Sequence, residues 1–379
     1  MRSITVFIIM LLAMFMLLAI FGSTVTKAQP SALDEEQLRR DIGEMLLVGF
    51  RGQDAYSCGH IERDIKQYHL GGVILFEYDI ATKTRHRNVA SMKQLKNLCS
   101  QLQKIAGGSL IISIDQEGGK VCRMRAKDGF SYTASPMYCA VKGYDTVRHY
   151  ARLTASMLRQ AGVNMDFAPV ADVNVNPSCP VIGALERSFS ADTQVVAKCC
   201  EIWLQELGNK KVAGCMKHFP GHGSATGDTH EGLVDVSKTW KEYELAPYRE
   251  LIASGKVPMV MVAHVINNKI DSKWPASLSS KTVTDLLRKQ LGFDGVVVTD
   301  DLAMGAIEKQ YDYKTVIYQA IKAGNDMLCL SNNGNGKYNP DIVPQTVEII
   351  VKLVKDGRLT AEQIHTSAER IRKLKKKIL

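Results

Sequence analysis

The sequence lacks the features that define several large classes of protein. It has no internal repeat, no low-complexity linker and no CxxC pair among its nine cysteines, and aromatic residues make up only 7%. These absences disfavour a solenoid, a disordered protein and a structural zinc site. Long apolar runs are absent after the amino terminus, which excludes a polytopic membrane protein. The 45% hydrophobic content of 379 residues suffices for a large buried core.

Acidic residues are absent from the last ten positions, and much of the net charge of +9 originates there. Loss of Arg2 and Lys27 with a leader would lower that charge to +7, so the central part of the chain is close to neutral. No nucleic-acid recognition motif is present, and we expect no nucleic-acid partner. The terminal cluster fits either contact with an anionic envelope surface or a solvated helix end. Its six members are Arg370, Arg372, Lys373, Lys375, Lys376 and Lys377.

Residues 1–28 have the pattern of a leader. Arg2 precedes the 16 apolar residues Val6–Phe21, and small or polar residues then lead to Ala28. This order is typical of a signal peptide and predicts export to the periplasm, the cell envelope or the medium. An uncleaved signal anchor is the alternative, because the run is slightly long.

The cysteines give no disulfide pattern. Nine is an odd number, so at least one stays unpaired unless it bridges to another chain. Cys215 and Cys329 stand in apolar runs, and we expect them to be small buried hydrophobic residues. Disulfides among the others cannot be assigned from spacing.

Eight short apolar runs alternate with amphipathic segments across residues 29–379. Such runs are typical of strands buried on both faces of a parallel sheet. The pattern predicts one catalytic domain with a (β/α)8 TIM-type barrel, regular or irregular, and an open doubly wound sheet is the alternative. The predicted strands are Met45–Phe50, Gly72–Phe76, Leu110–Ile114, Asn164–Val170, Ala213–His218, Pro258–His264, Gly295–Thr299 and Asp326–Ser331. The predicted helices are Lys93–Ile105, Thr146–Gln160, Asp192–Leu207, Trp240–Ser254, Lys281–Leu291, Tyr313–Ala323, Val343–Asp356 and a last one opened by a Thr360–Gln363 capping box.

Polar side chains follow these apolar runs and predict a pocket. In barrels of this type, reactive residues gather at the carboxyl ends of the strands. Any one of these residues alone could be a helix cap, but together they describe a polar site. They are Asp115, Asp172, Lys217, His218, His264, Asp300 and Asp301.

The densest stretch is KHFPGHG at 217–223, followed by Asp228-Thr-His230. His218 and His222 have the spacing of helical metal ligands, but the intervening proline and glycines prevent a helix, so we expect no metal and no other cofactor. An aspartate two residues before a histidine can orient the imidazole as an acid/base group, although an exposed polar loop has the same pattern.

These residues resemble the signature of the β-N-acetylhexosaminidase branch of glycoside hydrolase family 3. Other segments agree in the same order, including Ile-Asp-Gln-Glu-Gly-Gly at 114–119 and Gly-Val-Val-Val-Thr-Asp-Asp at 295–301. The resemblance implies that Asp300 is the nucleophile and that His230, held by Asp228, is the acid/base. It implies sugar recognition by Asp115, Arg123, Arg187, Lys217 and His218. Lys120 and Cys122 depart from the usual pattern and leave subsite detail open.

The resemblance implies a retaining exo-β-N-acetylglucosaminidase that acts on terminal residues of peptidoglycan fragments through a glycosyl-aspartate intermediate. The leader predicts that this enzyme is exported. Relatives with β-glucosidase activity usually take a glutamate acid/base from a second sheet domain, and the segment after Asn335 is too short for one. A β-glucosidase-like enzyme or a phosphorylase of the same family is the alternative activity. The oligomeric state cannot be predicted.

Overall fold

The computed structural model describes residues 32–334, 336 and 338–379, and its central feature is a set of eight parallel strands. Each strand lies within, or one residue beyond, one of the predicted apolar runs. The strands are β1 (Leu46–Gly49), β2 (Gly72–Ile74), β3 (Ile111–Ile114), β4 (Met165–Asp166), β5 (Ala213–Phe219), β6 (Met259–Val262), β7 (Val296–Thr299) and β8 (Leu328–Leu330). Short two-residue or three-residue strand pairs stand in the loops outside this set.

The strands follow one another in sequence order around a closed barrel. Every neighbouring pair from β1 to β7 is parallel, and β8 pairs with β1. The last gap closes where Val298 of β7 forms a parallel bridge with Met327, just before β8. An open doubly wound sheet reverses its strand order at a switch point, so this unbroken order confirms the (β/α)8-type barrel.

The barrel is irregular at β4, where the predicted strand Asn164–Val170 is reduced to Met165–Asp166. The chain returns to the sheet at Val170, which bridges to Lys217 of β5. Asp166 is fully buried, and its carboxylate accepts the Gln116 N–H at 2.9 Å. The polar side chain therefore supplies a hydrogen bond that the shortened strand does not.

Helices surround the strands. They are α1 (Ala32–Glu44), α2 (Gly59–Tyr68), α3 (Met92–Ile105), α4 (Pro136–Lys142), α5 (Tyr144–Ala161), α6 (Thr193–Asn209), α7 (Ala246–Ala253), α8 (Gly305–Glu308), α9 (Tyr313–Ala323), α10 (Ile342–Lys355) and α11 (Ala361–Ile378). Residues Lys281–Gln290 form a π-helix, and Glu242–Leu245 form a 3-10 turn before α7.

The long amphipathic segments form helices as predicted. The predictions fail where a helix is short or where a predicted helix is divided into two elements. The predicted helix Trp240–Ser254 is wrong at its start, because Pro247 lies at the beginning of α7 and the preceding residues take a tighter turn. Half of the predicted capping box forms, since the Thr360 hydroxyl accepts the Gln363 N–H at 3.1 Å. The Gln363 side chain instead donates to the Ile321 carbonyl, at 2.8 Å.

The core lies inside the barrel and between the barrel and its helices. Strand residues such as Leu46, Val73 and Ile112 are fully buried, as expected for parallel strands covered on both faces. All nine cysteines fall within the described residues, are buried and are free thiols, which confirms the prediction for Cys215 and Cys329. Some contacts require a missing side chain, because a Cβ on Gly49 would lie 1.8 Å from the Ser331 carbonyl oxygen.

Residues Glu36–Leu379 make up one unit, and the predicted leader, residues 1–28, lies outside the described residues. In the part of the chain that is described, no helix has both the length and the apolar character needed to cross a membrane.

Half of the basic cluster in α11 takes part in ion pairs within the fold. Arg372 and Lys375 pair with Asp41 and Glu44 of α1. Arg370 lies 3.2 Å from Asp326. The exposed basic side chains of this helix are those of Lys373, Lys376 and Lys377. Much of the terminal charge is therefore balanced by acidic residues from earlier in the chain.

Candidate active site

A cavity of about 810 Å³ opens at the carboxyl ends of the barrel strands. Its volume is within the range of small-molecule sites. The eight residues to which the resemblance gives a role all line it, and they come from four different strand ends and their loops. They are Asp115, Arg123, Arg187, Lys217, His218, Asp228, His230 and Asp300. Asp172 and His264, which were also expected in the pocket, are not among the lining residues.

The end of β5 and the loop that follows carry the histidine-rich motif. Lys217 and His218 belong to the strand itself, the peptide bond between them is cis, and both side chains line the cavity. Steric constraints explain why two positions of this motif are glycine. Gly221 has a φ of +125°, and a Cβ on Gly223 would lie 1.8 Å from the Val173 carbonyl oxygen. The motif therefore turns the chain sharply against the residues after β4.

Charged side chains of alternating sign form a chain along one wall of the cavity. The Lys217 ammonium lies 2.7 Å from both Asp115 and Glu117. Glu117 in turn accepts two bonds of 2.7 Å from Arg187. Arg123 lies at the other end, 3.3 Å from Asp115. Each charge has an opposite partner, so the arrangement holds the side chains in fixed positions against one wall of the site.

Glu117 stays ionised at the centre of this chain. Burial acts to raise its pKa, but the adjacent Arg187 and Lys217 lower that pKa to about 2. The charged form is therefore the one present at neutral pH. A negative Glu117 fixes the direction in which Arg187 and Lys217 present their remaining donors.

The ring of His218 has one hydrogen-bond arrangement that fits its neighbours. Its Nε2 lies 3.2 Å from Arg187, which can only donate, so Nε2 accepts. Its Nδ1 then carries the proton and donates to Asp172 at 2.6 Å. Asp172 also accepts the backbone N–H of His222 at 2.7 Å. This aspartate therefore fixes both histidines of the motif.

Asp300 comes directly after β7 and lines the cavity. Burial acts to raise its pKa, but His264, His218 and His230 lower that pKa below its usual value. One of its oxygens accepts the backbone N–H of Asp301 at 2.8 Å. The result is an ionised carboxylate in the lining of the cavity, as a nucleophile requires.

The residues behind Asp300 have supporting contacts. His264 Nδ1 lies 2.6 Å from the Ser277 hydroxyl, and its Nε2 lies 2.9 Å from the Asp301 carbonyl, which can only accept. The Asp301 carboxylate accepts from the Ser331 and Ala303 N–H groups, so it is directed into the backbone of the next loop. Asp301 also lines the cavity, so the contacts of its carboxylate with these backbone N–H groups are what distinguish it from Asp300.

The Asp228–His230 pair stands at the rim. Asp228 Oδ1 lies 2.7 Å from His230 Nδ1 and also accepts the His230 backbone N–H at 2.8 Å. The His230 side chain is 64% exposed. With Nδ1 facing Asp228, Nε2 is the atom that remains for a substrate.

Sequence reasoning missed Glu117, and it named Asp172 without giving it a role. Glu117 lies in the segment Ile-Asp-Gln-Glu-Gly-Gly at 114–119, but its partners Arg187 and Lys217 come from distant parts of the chain, so no local pattern gave it a role. Glu77 after β2 was missed entirely, and it pairs with Arg125 and lies 3.7 Å from Arg123. Its partners come from a different strand end, so no local pattern reveals it.

His218 and His222, which have metal-like spacing in the sequence, have other contacts. His222 Nε2 lies 3.2 Å from the Thr229 hydroxyl, and burial together with His218 lowers the pKa of His222 to about 4. Across the described ranges, no cluster of three or more His, Cys, Asp or Glu side chains is arranged to hold a metal ion.

A closed parallel barrel with carboxylates, histidines and cationic side chains in one cavity at its carboxyl end is an architecture typical of barrel enzymes. The chain belongs to glycosyl hydrolase family 3, whose N-terminal domain model matches residues 37–374. This agrees with the resemblance carried by the histidine-rich motif.

Individual relatives support the same assignment. The chain is 30% identical over 377 residues to beta-hexosaminidase A of Pseudoalteromonas piscicida, which covers 89% of this chain. A glycoside hydrolase family 3 beta-N-acetylglucosaminidase structure from Paenibacillus sp. FPU-7 matches with a TM-score of 0.80 and 36% identity over 90% of this chain. The beta-N-acetylhexosaminidase structure from Beutenbergia cavernae matches with a TM-score of 0.78 and 27% identity over 89%.

The relatives differ in how much of their own length the match includes. The chain spans 60% of the Pseudoalteromonas protein and 62% of the Paenibacillus structure, but 98% of the Beutenbergia structure. The domain shared by all three is therefore the barrel described above.

Proposed function

We propose that this protein is a retaining exo-β-N-acetylglucosaminidase, a β-N-acetylhexosaminidase, which removes terminal non-reducing N-acetylhexosamine residues from peptidoglycan fragments. The observation that carries the proposal is that Asp300 and the Asp228–His230 pair line the same cavity. An ionised carboxylate and an oriented imidazole are the two groups that double displacement at an anomeric carbon needs. Relatives named beta-hexosaminidase support the amino-sugar specificity.

In the first step, an Asp300 oxygen forms a bond to the anomeric carbon while the glycosidic bond breaks. His230 donates its Nε2 proton to the departing oxygen, so the leaving group is released as an alcohol. In the second step, water attacks the same carbon, His230 takes a proton from that water, and the bond to Asp300 breaks. Two inversions give net retention, and His230 returns to its starting protonation state.

The imidazole suits both steps. A histidine side chain can donate a proton in one step and accept one in the next, so a single residue serves as acid and then as base. Asp228 accepts from Nδ1 and stabilises the imidazolium that exists before proton donation. The carboxylate thus keeps the ring in one orientation in both protonation states.

The charged side chains along this wall of the cavity would bind the sugar. Asp115 can accept hydrogen bonds from hydroxyl groups, while Arg123, Arg187 and Lys217 can donate to hydroxyl or N-acetyl oxygens. These side chains already hold one another in place, so little conformational entropy is lost when a substrate binds. A preformed polar wall of this kind fits an exo-acting enzyme that binds one terminal sugar.

The test compares aryl β-N-acetylglucosaminide with aryl β-glucoside in the wild type, Asp300→Ala and His230→Ala. We expect selective hydrolysis of the N-acetylated substrate and its loss in Asp300→Ala. Equal turnover of both glycosides would contradict the proposed specificity for N-acetylated sugars. Full activity in Asp300→Ala would contradict the assignment of Asp300 as the nucleophile. Turnover that requires inorganic phosphate would identify a phosphorylase instead.

We also propose that the protein is exported and acts in the cell envelope. The apolar run Val6–Phe21 supports this, and the exposed Lys373, Lys376 and Lys377 are available to an anionic surface. Cell fractionation followed by amino-terminal sequencing tests it. A mature protein that begins at Gln29 in the envelope fraction is expected, and a full-length cytoplasmic protein would contradict the proposal.

A further inference from the structure

The loop that carries Asp228 and His230, residues 220–233, lies against the short helix α8 and the residue that follows it. The Ala306 N–H donates to the Thr229 carbonyl at 3.1 Å. The Lys309 ammonium donates to the Glu231 carbonyl at 2.8 Å. These two bonds hold the backbone on both sides of His230.

Gly305, the first residue of α8, makes the closest approach. A Cβ at this position would lie 2.5 Å from the His230 carbonyl oxygen and 3.2 Å from the Glu231 carbonyl carbon and oxygen. Gly305 does not have a left-handed φ, so its backbone conformation is open to any residue. Glycine is costly in a helix by roughly 0.5–1 kcal/mol relative to alanine. The contact with the loop is therefore the reason that residue 305 has no side chain.

The helix that contacts the loop is also close in sequence to the candidate nucleophile. Gly305 comes five residues after Asp300, and the Met304 N–H donates to the Asp301 carbonyl at 3.0 Å within the connecting segment. The segment after β7 therefore carries Asp300 at one end and contacts the His230 backbone at the other. On the cavity side, His222 Nε2 lies 3.2 Å from the Thr229 hydroxyl, and Thr229 is buried.

We infer that Gly305 and Lys309 are positioning residues, which set the place of the His230 imidazole relative to Asp300 by holding the backbone of the 220–233 loop. This inference rests on the proposed function for its catalytic consequence, while the anchoring itself is a property of the fold. A small displacement of His230 would impair proton transfer, because a general acid must come within hydrogen-bond reach of the leaving oxygen. Asp300 would stay in place, since the end of β7 holds it.

The kinetic test uses Gly305→Ala, Lys309→Met and Lys309→Arg, with Gly208→Ala as the matched glycine control. Gly208 lies in α6 with no atom within 4 Å of an added Cβ. kcat/KM is measured with a 2,4-dinitrophenyl β-N-acetylglucosaminide, whose leaving group needs no proton, and with N,N′-diacetylchitobiose, whose leaving group does. We expect Gly305→Ala to lower kcat/KM for chitobiose by about tenfold or more, with a much smaller change for the activated substrate.

Lys309→Met should show the same selective loss to a smaller extent, and Lys309→Arg should recover it because the side chain can donate again. Gly208→Ala should leave both substrates unaffected. An equal loss for both substrates in Gly305→Ala would point to general damage and would overturn the inference, as would no loss for either.

Amide hydrogen exchange of peptides from residues 224–233 gives a readout without catalysis. We expect faster exchange in Gly305→Ala and Lys309→Met than in the wild type and Lys309→Arg, at unchanged melting temperature. If Gly305→Ala does not fold, Lys309→Met carries this test, because its side chain is on the surface. Unchanged exchange in both variants would overturn the anchoring. If the wild-type protein cleaves neither glycoside, that result contradicts the proposed function. The hydrogen-exchange result would then decide alone whether Gly305 and Lys309 anchor the loop.

Discussion

The Lys217 ammonium lies 2.7 Å from a Glu117 oxygen although the two side chains are only 2% and 1% exposed. Glu117 also accepts from Arg187, so a single buried carboxylate is shared by two cations. A buried charge is tolerated only when it is paired and hydrogen-bonded. One wall of the cavity therefore depends on a residue that is not itself among the cavity-lining residues.

Replacing Glu117 by glutamine should destabilise the fold strongly. The change keeps the shape but removes the negative charge between Arg187 and Lys217, which then repel each other in a buried site. Removing one partner of a buried ion pair costs about 3–5 kcal/mol, so we expect the free energy of unfolding to fall by about 3 kcal/mol or more. Urea unfolding measures this difference, and the KM for aryl β-N-acetylglucosaminide should rise with it.

Glu242→Gln is the matched control for the Glu117 substitution. Glu242 pairs with Arg249 at 2.8 Å on the surface, so its loss should change the free energy of unfolding by less than about 1 kcal/mol. If the two variants lose the same small amount, the buried chain of charges does not support the fold as described.

Asp228→Asn should lower activity without affecting stability. The asparagine can keep the loop turn but cannot stabilise an imidazolium, so we expect kcat for a natural-type disaccharide to fall by about 10²-fold or more. Steady-state kinetics on N,N′-diacetylchitobiose measure the loss.

Asp235 provides a close comparison for Asp228, because its carboxylate accepts the Ser237 N–H at 2.8 Å in a similar turn and no histidine is involved. Asp235→Asn should keep wild-type kcat. A comparable loss in both variants would mean that Asp228 acts only on the loop backbone.

Glu244 should make stability depend on pH near neutrality. Burial raises the pKa of this carboxyl to about 7, and one of its oxygens accepts the Lys241 N–H at 2.9 Å. A raised pKa in the folded state means that this contribution is fully present below the unfolded value of about 4.3 and is lost as the pH rises through about 7. The free energy of unfolding should therefore lose about 3 kcal/mol from this group over that interval.

The measurement compares urea unfolding of wild type and Glu244→Gln at several values between about pH 4.5 and about pH 7.5. Glutamine is neutral throughout, so the difference between the two curves isolates the carboxyl. A difference that does not change with pH would show that Glu244 titrates normally in the fold.

The nine buried thiols should be inaccessible in the native protein. We expect Ellman's reagent to label none of them under native conditions and all nine in guanidinium chloride without reductant. The number of free thiols is also relevant to the proposed export, because an oxidising compartment would favour disulfide formation between exposed thiols. Rapid labelling of the native protein, or fewer than nine thiols after unfolding, would contradict the structure.

Much of the barrel could be predicted, because its strands are buried on both faces and leave continuous apolar runs such as Gly295–Thr299. The end of strand β4 could not be predicted from the sequence. Asp166 interrupts the apolar run, which continues to Val170, but only Met165 and Asp166 pair with both neighbouring strands. Helices such as α4 and α8 are too short for a 3.6-residue period to be distinct, and their formation depends on packing.

The candidate site was predicted where the residues follow strand ends or stand in a motif. Asp300 follows a strand end and His230 stands in a motif, and both line one cavity as expected. Glu117 and Glu77 were not assigned, because their partners, Arg187 and Arg125, come from other loops. The contact of Gly305 with the His230 carbonyl also depends on tertiary structure, and one glycine after a strand gives no sign of it.

The most direct test of the proposed mechanism is to map the covalent intermediate. A 5-fluoro-N-acetylglucosaminyl fluoride forms the glycosyl-enzyme faster than water removes it, and tandem mass spectrometry of the digested adduct then identifies the modified residue. The proposed mechanism predicts one sugar per chain, attached to Asp300, and none in Asp300→Ala. A sugar on Asp301 or on another residue, or inactivation without any covalent sugar, would contradict it.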